Sequence, residues 1–365
     1  MKYYSLDNIL SKDAHYNIVI GERSNGKTYA TFKYMLERYI KHGEQGALIR
    51  RWKEDFKGKR GAQMFEALVA DGTVSRLTNG EYNTVYSYSG RWFLANIDAR
   101  NPDKKVPAAE PFCYGFALSD MEHDKSSSYP RVRNIIFDEF LTRKYYLPDE
   151  FVTFMNVLST IIRQRDDIKI FMLGNTVNQY CPYFTEMGLT HIKEMKQGVI
   201  EVYKYGDSNL RVAVEYADSI SKQGKPSDVY FAFDNPKLSM ITGGAWELAM
   251  YPHLPVKYVP KNIQGVFFIE FNQQTLQCEL IYAEGMPFVF IHRKTTPIKN
   301  PNKDFIFAMD YDARPNHIRN IRKSSNKFAK RIMQYFNNNM FYYQDNEVGE
   351  IVRNYMIACQ HDEIR

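Results

Sequence analysis

A glycine- and lysine-containing loop directly after a short apolar run constrains this chain more than any other feature. Ile18, Val19 and Ile20 are β-branched and favour a buried strand. The next eight residues match G-x-x-x-x-G-K-[ST] in full, a pattern whose backbone N–H groups surround a phosphate while its hydroxyl ligates Mg²⁺. They are Gly21, Glu22, Arg23, Ser24, Asn25, Gly26, Lys27 and Thr28. Apolar residues at helical spacing from Tyr29 to Ile40 complete a strand–loop–helix unit, which predicts a bound nucleotide at the helix N-terminus.

A second apolar stretch ends in two acidic residues. Residues 134–137 favour a strand, and Asp138 and Glu139 follow it directly. In nucleotide hydrolysis the first carboxylate of such a pair holds Mg²⁺ and the second orients or deprotonates the attacking water. An acidic pair after a strand is weak support by itself, but its position downstream of the phosphate loop predicts a hydrolytic site that uses both.

Two polar positions follow in the next helix and strand. Leu147 to Glu150 is typical of a helix start, and apolar residues continue at helical spacing to Ile162. The basic residues Arg163 and Arg165 come next. They either complement the helix dipole or project into a neighbouring subunit's nucleotide as an arginine finger.

Asn175 ends the following strand, which spans residues 168–175. A polar amide at that position can sense the γ-phosphate and pass its loss to the next loop. Together with the upstream elements, this alternation of strands and helices predicts an α/β fold with a mainly parallel sheet and helices on both faces.

Basic residues also cluster where a second strand ends. Residues 46–52 read as a strand, and Arg50, Arg51 and Lys53 lie at its carboxyl end, where open α/β sheets bind ligands. A solvated charge cluster accounts for them equally well.

The bulk properties set the class of protein. With 365 residues, 44% hydrophobic and 15% aromatic, the chain is expected to form more than one globular domain. A net charge of +6 suits an acidic polymer as partner without requiring one. The four cysteines form no C-x-x-C pair, and no apolar run approaches ~18 residues, so we expect free thiols and a soluble, intracellular protein without a leader or a membrane span.

The composition changes after residue 218. We therefore predict an ATPase-type domain over residues 1–218, a linker or lid over 219–258 and a second domain over 259–365. In the first part, residues from Ala62 to Val69 favour a helix, and the Pro- and Lys-containing stretch from Pro102 to Pro111 favours a surface loop. In the last part, three strands with hairpin-length connections and a fourth strand precede an Arg/Lys-rich helix from about Pro315 to Asn338 and a final helix. These elements give the last part the outline of a small α+β, ribonuclease-H-like domain.

Several segments together resemble one known family. They are 43–45 with 49–53, Lys125-Ser126 with Tyr129-Pro130, 136–140, 147–150, 163–165, and Asn175 with Asn178 and 182–184. In this order they resemble the DNA-packaging ATPases of phi-29-type short-tailed bacteriophages, a branch of the terminase-like motor ATPases. The resemblance is specific through the first 218 residues and looser afterwards.

That resemblance implies ATP and Mg²⁺ as cofactors and double-stranded DNA as the substrate that is moved into a prohead. It implies a homo-oligomeric ring, usually a pentamer, on the phage portal in the cytoplasm of the infected host, with no membrane contact. The family's trans-acting arginine falls on Arg163, and its basic strand-end residues place Arg50, Arg51 and Lys53 near the nucleotide or the subunit boundary. Some members also use a structural RNA, and the sequence leaves that open.

Other functions stay open at this point. A packaging ATPase that also cuts DNA needs clustered carboxylates, for which Glu270, Glu279, Asp310 and Asp312 are the candidates, although the first strand lacks the expected Asp. A non-motor P-loop enzyme would respond to a small acceptor rather than to DNA. An inert portal adaptor would not need the complete set of loop and acidic residues.

Overall fold

The computed structural model describes residues 4–98, 100–123, 128–142, 146–147, 149–176, 181–218, 250–271 and 274–362. The chain divides into two units. The first comprises Met1–Arg143, Asp149–Gln179 and Glu186–Glu247; the second comprises Lys144–Pro148, Tyr180–Thr185 and Leu248–Arg365. The predicted linker, residues 219–258, lies mostly outside the described residues, so the predicted domain limits stay predictions.

Up to residue 218, the described residues contain the following helices and strands. In order they are α1 (Asp7–Leu10), β1 (Tyr16–Gly21), α2 (Lys27–His42), β2 (Gln45–Arg50), α3 (Gly58–Ala62), α4 (Glu66–Ala70), α5 (Thr73–Leu77), β3 (Thr84–Tyr88), β4 (Arg91–Asp98), β5 (Asn101–Pro107), β6 (Cys113–Ala117), β7 (Val132–Asp138), α6 (Glu150–Ile162), β8 (Lys169–Asn175), α7 (Pro182–Glu186), β9 (Val199–Lys204) and β10 (Arg211–Tyr216).

The first unit is built on one large sheet. Its strand order is β3-β4-β6-β2-β7-β8-β1-β10-β9, with β5 beside β4. The six strands from β6 to β10 in this order pair in parallel, and antiparallel strands flank them on both sides. This confirms the predicted α/β class with a mainly parallel sheet. Because parallel strands end at the same edge, the residues that follow β1, β2, β7 and β8 meet there.

Two helices fix that edge. α2 begins after Gly26, whose φ of 94° favours glycine, and it buries Phe32, Met35 and Leu36 against the sheet. In α6, Phe154 stacks on Phe137 of β7 with ring centroids 5.2 Å apart. Both helices therefore pack on the strands that carry the candidate site residues.

Three expectations for this unit are wrong in part. The predicted surface loop from Pro102 to Pro111 contains β5, which pairs with β4, because the hairpin turn before it returns the chain antiparallel to its neighbour. The single helix predicted from Ala62 to Val69 is instead the separate helices α3 and α4. Strands β9 and β10 were not predicted, although β10 is the direct neighbour of β1.

The second unit contains a six-stranded sheet and two helices. Its elements are β11 (Ile263–Phe271), β12 (Gln274–Ala283), β13 (Met286–Arg293), β14 (Ile306–Ala308), β15 (His317–Arg319), α8 (Lys327–Asn337), β16 (Phe341–Tyr343) and α9 (Asn346–His361).

The strand order of the second sheet is β15-β14-β11-β12-β13-β16. The meander β11-β12-β13 is antiparallel as predicted, and the outer strands join it in parallel. The basic helix predicted from Pro315 begins only at Lys327, because residues 317–319 form β15. The ribonuclease-H-like assignment of this unit stays a prediction. Within the described residues, no helix combines the length and the hydropathy that crossing a bilayer requires.

Candidate functional site

The loop between β1 and α2 has the conformation of a phosphate loop. Ser24 has a φ of 60° and Gly26 a φ of 94°, so two positions of the loop lie in the left-handed region. The loop is anchored at both sides, since the amide of Thr176 donates to the carbonyl of Gly21 and the amide of Tyr4 donates to the carbonyl of Asn25. Of the predicted loop residues, Arg23 and Ser24 are exposed, whereas Glu22, Asn25 and Lys27 are buried.

The lysine of the loop is held by the groups around it. Lys27 Nζ donates to the carbonyl of Glu22 (2.6 Å), to Asn25 Oδ1 (3.0 Å) and to Asn175 Oδ1 (3.4 Å). Burial lowers the pKa of Lys27 to about 8. The negative charges of Asp138 and Glu22 oppose this lowering but do not cancel it, so an additional anion at this place would stabilise the ammonium.

The acidic pair lies beside the loop as the sequence predicts. The Thr28 hydroxyl donates to Asp138 Oδ1 at 3.2 Å, so the two oxygens expected to ligate Mg²⁺ are adjacent. Burial raises the pKa of Asp138, and the positive charge of Arg50 opposes that rise. The Glu139 side chain is 64% exposed, so its carboxylate is accessible to water.

Asn175 reaches the loop through the register of the sheet. β8 lies between β7 and β1, and Asn175 pairs with Gly21 at the carboxyl end of both strands. Its amide oxygen therefore faces the Lys27 ammonium, in the position expected of a residue that responds to the phosphate.

These residues line one cleft of about 260 Å³. Its lining consists of Ser24, Asn25, Gly26, Lys27, Thr28, Tyr29, Asp138, Glu139, Leu173, Gly174 and Asn175. A larger cleft of about 590 Å³ lies where β1, β8 and β10 begin, and in its lining Lys169 and Arg211 each pair with Asp13. The smaller cleft is therefore the candidate site, since its lysine and acids face a common space.

The loop residues fit a triphosphate with Mg²⁺. Asn25 Nδ2 is buried and has no hydrogen-bond partner among the described residues, so the cradle contains an unused donor. Among the described residues, no group of three or more His, Cys, Asp or Glu side chains could hold a metal ion. Mg²⁺ in such a site needs only one or two protein oxygens, because waters and phosphates complete its shell.

Arg50 lies inside this site, in contact with the acids of its own chain. Its Nη2 is 2.6 Å from Asp138 Oδ2, and its Nη1 is 2.8 Å from Glu139 Oε2. The side chain is 14% exposed. The sequence placed it near the nucleotide or a subunit boundary; the structure places it at the acidic pair.

Arg51 and Arg165 contact groups of their own chain, and their assignment as trans-acting or boundary candidates stays a prediction. Arg51 Nε and Nη2 bind the two Glu150 carboxylate oxygens at 2.7 and 2.8 Å, in a fully buried pair. Arg165 donates to backbone carbonyls at the end of α6 and before β7, including that of Val132 at 2.7 Å. Both guanidinium groups bind elements of the same unit together. Lys53, half exposed, pairs with Asp120.

Arg163 is exposed and follows the last residue of α6. Its φ of 54° with ψ of −117° is unfavourable for any residue with a side chain, and such a conformation costs about 1–3 kcal/mol. It does not belong to the described residues that line the 260 Å³ cleft.

Two of the four carboxylates considered for DNA cleavage have polar partners in the structure. Glu279 accepts from Tyr258 Oη (2.6 Å) and Gln277 Nε2 (2.8 Å), and His292 Nε2 lies 3.3 Å away. Asp312 is bound by Arg314 through both of its oxygens. Glu270 and Asp310, the other two candidates, lie on β11 and just after β14.

Two functional contacts of this site escaped prediction. Tyr4 links the loop to β10, because its hydroxyl donates to the buried Glu215 at 2.6 Å and its amide donates to the carbonyl of Asn25. Glu150, predicted only as a helix-start residue, is the buried partner of Arg51. No local sequence pattern predicts either contact, because Tyr4 and Glu215 are 211 residues apart and Arg51 and Glu150 are 99 residues apart.

The fold and the loop define a class: an α/β protein with a mostly parallel sheet, whose carboxyl edge carries a loop that matches the P-loop sequence pattern. Within this class, the family model of the Podovirus DNA encapsidation protein (Gp16) matches residues 1–358, and the chain belongs to that family. This finding confirms the resemblance seen in the sequence.

Individual relatives agree with the family. The chain is 33% identical over 214 residues to the DNA packaging protein of Bacillus phage B103, an alignment that covers 58% of this chain and 57% of that protein. It is 31% identical over 185 residues to the DNA packaging protein of Bacillus phage phi29, covering 50% of this chain and 49% of the relative. The chain thus spans about half the length of the curated relatives it matches.

Two solved structures share the fold over nearly the whole chain. The Phi-28 gp11 DNA packaging motor superposes with a TM-score of 0.57 at 18% identity, covering 100% of this chain and 99% of the other. The bacteriophage Phi-29 viral genome packaging motor assembly superposes with a TM-score of 0.56 at 20% identity, covering 97% and 99%.

Proposed function

We propose that this protein is the ATP-hydrolysing subunit of a viral motor that translocates double-stranded DNA into a prohead. The observation that carries the proposal is the joint position of Lys27, Thr28, Asp138 and Glu139 around one cleft of a family member. The relatives of this chain are DNA packaging proteins and packaging motors, which supports DNA as the substrate that is moved.

The cleft residues have distinct roles in this proposal. Mg²⁺-bound ATP supplies the labile phosphoanhydride and a metal that neutralises developing charge. Lys27 binds the β- and γ-phosphates, while Thr28 and Asp138 hold the ion. Glu139 accepts a proton from the water that attacks, which its exposed carboxylate can contact. Asn175, hydrogen-bonded to Lys27, relays the loss of the γ-phosphate.

Arg163 acts on the nucleotide of a neighbouring subunit. Its position outside the cleft of its own chain and its strained backbone support a role in trans. That role requires a ring, for which we propose the family's pentamer on the portal, in the host cytoplasm. The second unit contributes assembly or nucleic-acid contacts without cleavage, and a structural RNA is a further candidate partner.

The proposal is tested by the rate of ATP hydrolysis with and without duplex DNA, on protein of measured oligomeric state. We expect DNA to raise the rate, and the stimulation to fall with added salt because backbone contacts release counterions. Lys27→Ala should abolish ATP binding. A rate that is indifferent to DNA but rises with a small phosphate acceptor would identify a non-motor P-loop enzyme instead.

The trans assignment has its own test. Arg163→Ala should lose turnover and keep ATP binding, whereas Glu139→Gln should bind ATP without hydrolysing it. Mixing the two variants should restore turnover, because an intact Glu139 then meets an intact Arg163 at some subunit boundaries. Normal turnover by isolated Arg163→Ala monomers would rule out a role in trans.

A further inference from the structure

The N-terminal segment of the first unit connects the phosphate loop to a neighbouring strand of the sheet. The amide of Tyr4 donates to the carbonyl of Asn25 at 3.1 Å, and the Tyr4 hydroxyl donates to Glu215 Oε2 at 2.6 Å. Glu215 lies on β10, which pairs in parallel with β1, the strand that leads into the loop. One half-buried residue therefore joins the loop to the strand beside it.

This segment is held in place by its neighbours in the sequence. Leu6 and Ile9 are 5% and 0% exposed, and they belong to the apolar core that also contains Val19 of β1. Glu215 is itself only 7% exposed. Since a buried carboxyl group without a hydrogen bond costs free energy, the bond from the Tyr4 hydroxyl is maintained in the folded protein.

The bond from the Tyr4 amide fixes the orientation of one peptide group of the loop. Asn25 is 2% exposed, so its carbonyl requires a partner. In a planar trans peptide the C=O and the N–H point in opposite directions, so a carbonyl held by Tyr4 turns the N–H of Gly26 away from Tyr4. Gly26 lines the cleft of about 260 Å³, whereas Tyr4 does not belong to its described lining. That N–H is therefore directed to the side on which a phosphate loop binds phosphate.

The side chain of the same asparagine holds the lysine of the loop. Asn25 Oδ1 accepts from Lys27 Nζ at 3.0 Å and from the Lys27 amide at 3.2 Å. The side chain lies over Gly21, where an added Cβ would be 3.2 Å from Asn25 Nδ2. A shift of the Asn25 backbone would therefore move the ammonium and the N–H groups of the loop together.

We propose that Tyr4 is a positioning residue of the nucleotide site, whose amide and hydroxyl hold the Asn25–Gly26 peptide so that the loop presents its N–H groups to the triphosphate. This inference rests on the proposed binding of ATP. It requires no contact of Tyr4 with the base or the sugar, and it places the effect on the binding of ATP rather than on its hydrolysis.

The first test removes the anchor of the tyrosine. Tyr4→Phe keeps the ring and the amide but lacks the hydroxyl, so its affinity for a fluorescent ATP analogue with Mg²⁺ should fall about three- to tenfold, the range that one hydrogen bond commonly supplies. The KM for ATP should rise by the same factor while kcat stays within about twofold, because the groups that hydrolyse ATP are unchanged. Tyr258→Phe removes a tyrosine–glutamate bond of 2.6 Å in the second unit and is the matched control, which should retain the wild-type affinity. Unchanged affinity of Tyr4→Phe would overturn the inference.

Inorganic tripolyphosphate separates the phosphate loop from the nucleoside. It competes with the analogue but has neither a base nor a sugar, so its affinity should fall in Tyr4→Phe by the same factor as that of ATP. An unchanged affinity for tripolyphosphate, together with weaker binding of ATP, would show that Tyr4 contacts the nucleoside and would overturn the inference.

A double variant separates positioning from stability. Tyr4→Phe leaves Glu215 buried with one hydrogen bond fewer, so the free energy of unfolding should fall. Adding Glu215→Leu removes that carboxyl group and should recover most of the lost stability, but the anchor stays absent and the affinity for the analogue should stay low. Recovery of the affinity along with the stability would show that Tyr4 only stabilises the fold. If Tyr4→Phe alone does not fold, the double variant carries the binding tests.

Glu215→Gln is the conservative variant. Its amide oxygen still accepts from the Tyr4 hydroxyl, so it should keep the wild-type affinity for the analogue and for tripolyphosphate. A folded Glu215→Gln protein that binds as weakly as Tyr4→Phe would contradict an anchor made by this hydrogen bond.

The wild-type protein shows which proposal fails. If it binds neither the analogue nor tripolyphosphate, the proposed function fails and this inference fails with it. If it binds both, and Tyr4→Phe binds them equally well, only the role of Tyr4 is wrong.

Discussion

Each unit of the molecule has an arginine beside acidic residues, and the two arginines use their donors differently. In the second unit, Arg314 Nε and Nη2 bind both oxygens of Asp312 at 2.9 and 2.7 Å. That pairing holds the pKa of Asp312 well below its usual range. In the first unit, Arg50 divides its donors between Asp138 and Glu139.

The difference separates a closed ion pair from an open site. A carboxylate bound through both oxygens by one arginine is already compensated in charge. Asp138 and Glu139 share one positive charge, and they adjoin the Thr28 hydroxyl and the Lys27 ammonium. Asp138 Oδ2 accepts from Arg50, whereas Oδ1 lies beside the Thr28 hydroxyl, so one oxygen of this carboxylate is directed to the expected cation position. This difference supports the proposal of ATP hydrolysis at the first unit's site.

The largest expected effect is the fall in the rate of ATP hydrolysis when an acid of the first unit is removed. Removal of an acid in the second unit is the comparison. Glu139→Gln should lower the rate of ATP hydrolysis about 10²- to 10⁴-fold while the ATP analogue still binds, because the variant loses only the base. Asp312→Asn should change that rate less than twofold. Steady-state hydrolysis and analogue fluorescence measure both.

DNA cleavage by the acids of the second unit would contradict this comparison. Nicking of plasmid DNA by wild-type protein with Mg²⁺ or Mn²⁺, lost in Asp312→Asn or Asp310→Asn, would make the second unit a nuclease.

The next effect concerns stability. Arg51→Met should lower the free energy of unfolding by about 3–5 kcal/mol, because it leaves Glu150 buried without its ion-pair partner. Arg51→Met combined with Glu150→Leu should be more stable than the single variant, since no charge is then left buried. Denaturant unfolding measures the stability of the single and the double variant. If Arg51→Met is as stable as wild type, the Arg51–Glu150 ion pair contributes as little to stability as an exposed ion pair does.

The smallest effect is a pH dependence in the second unit. The hydrogen bond between His292 and Glu279 raises the pKa of His292. The same bond is the main reason that the pKa of Glu279 is lowered to about 2. The contribution of His292 to stability is complete below its unfolded-state pKa of about 6.5 and is lost as the pH rises through the higher folded-state value. We therefore expect His292→Asn to destabilise by about 1 kcal/mol at pH 5.5 and by less at pH 8.5.

Thermal unfolding at the two pH values measures this difference. Glu279→Gln is the control, and in its background His292→Asn should have the same effect at both pH values. A larger effect of His292→Asn at pH 8.5 than at pH 5.5 would contradict the expected sign and would show that this carboxylate does not stabilise the charged imidazole.

How far the sequence predicts the structure depends on whether the signal is local. The loop from Gly21 to Thr28 and the pair Asp138–Glu139 follow strong strand signals, so their meeting at one sheet edge could be predicted from parallel topology alone. Asn175 could be placed by the same argument, because its strand ends in line with the others.

Pairings over long sequence distances could not be predicted. β10 pairs with β1 although nearly 200 residues separate the two strands. β5 could not be predicted because its prolines are as typical of a loop as of an edge strand. The arginines show the same limit. Residues 50 and 51 are adjacent and chemically identical, yet alternation along the strand end directs one to the acids of the cleft and the other to Glu150.

The helix α6 determines the distance between the acidic pair and Arg163 within one chain. Its first residue, Glu150, is held by Arg51 next to the acidic pair, and Phe154 packs on Phe137, the residue before Asp138. Thirteen residues of helix are about 20 Å long, and Arg163 follows at the far end. Because this helix is fixed to the strand that carries the acids, the span from a subunit's own acids to its exposed arginine is fixed too. In the proposed ring, the distance between one subunit's arginine and the next subunit's acids would then change without a change inside this helix–strand unit.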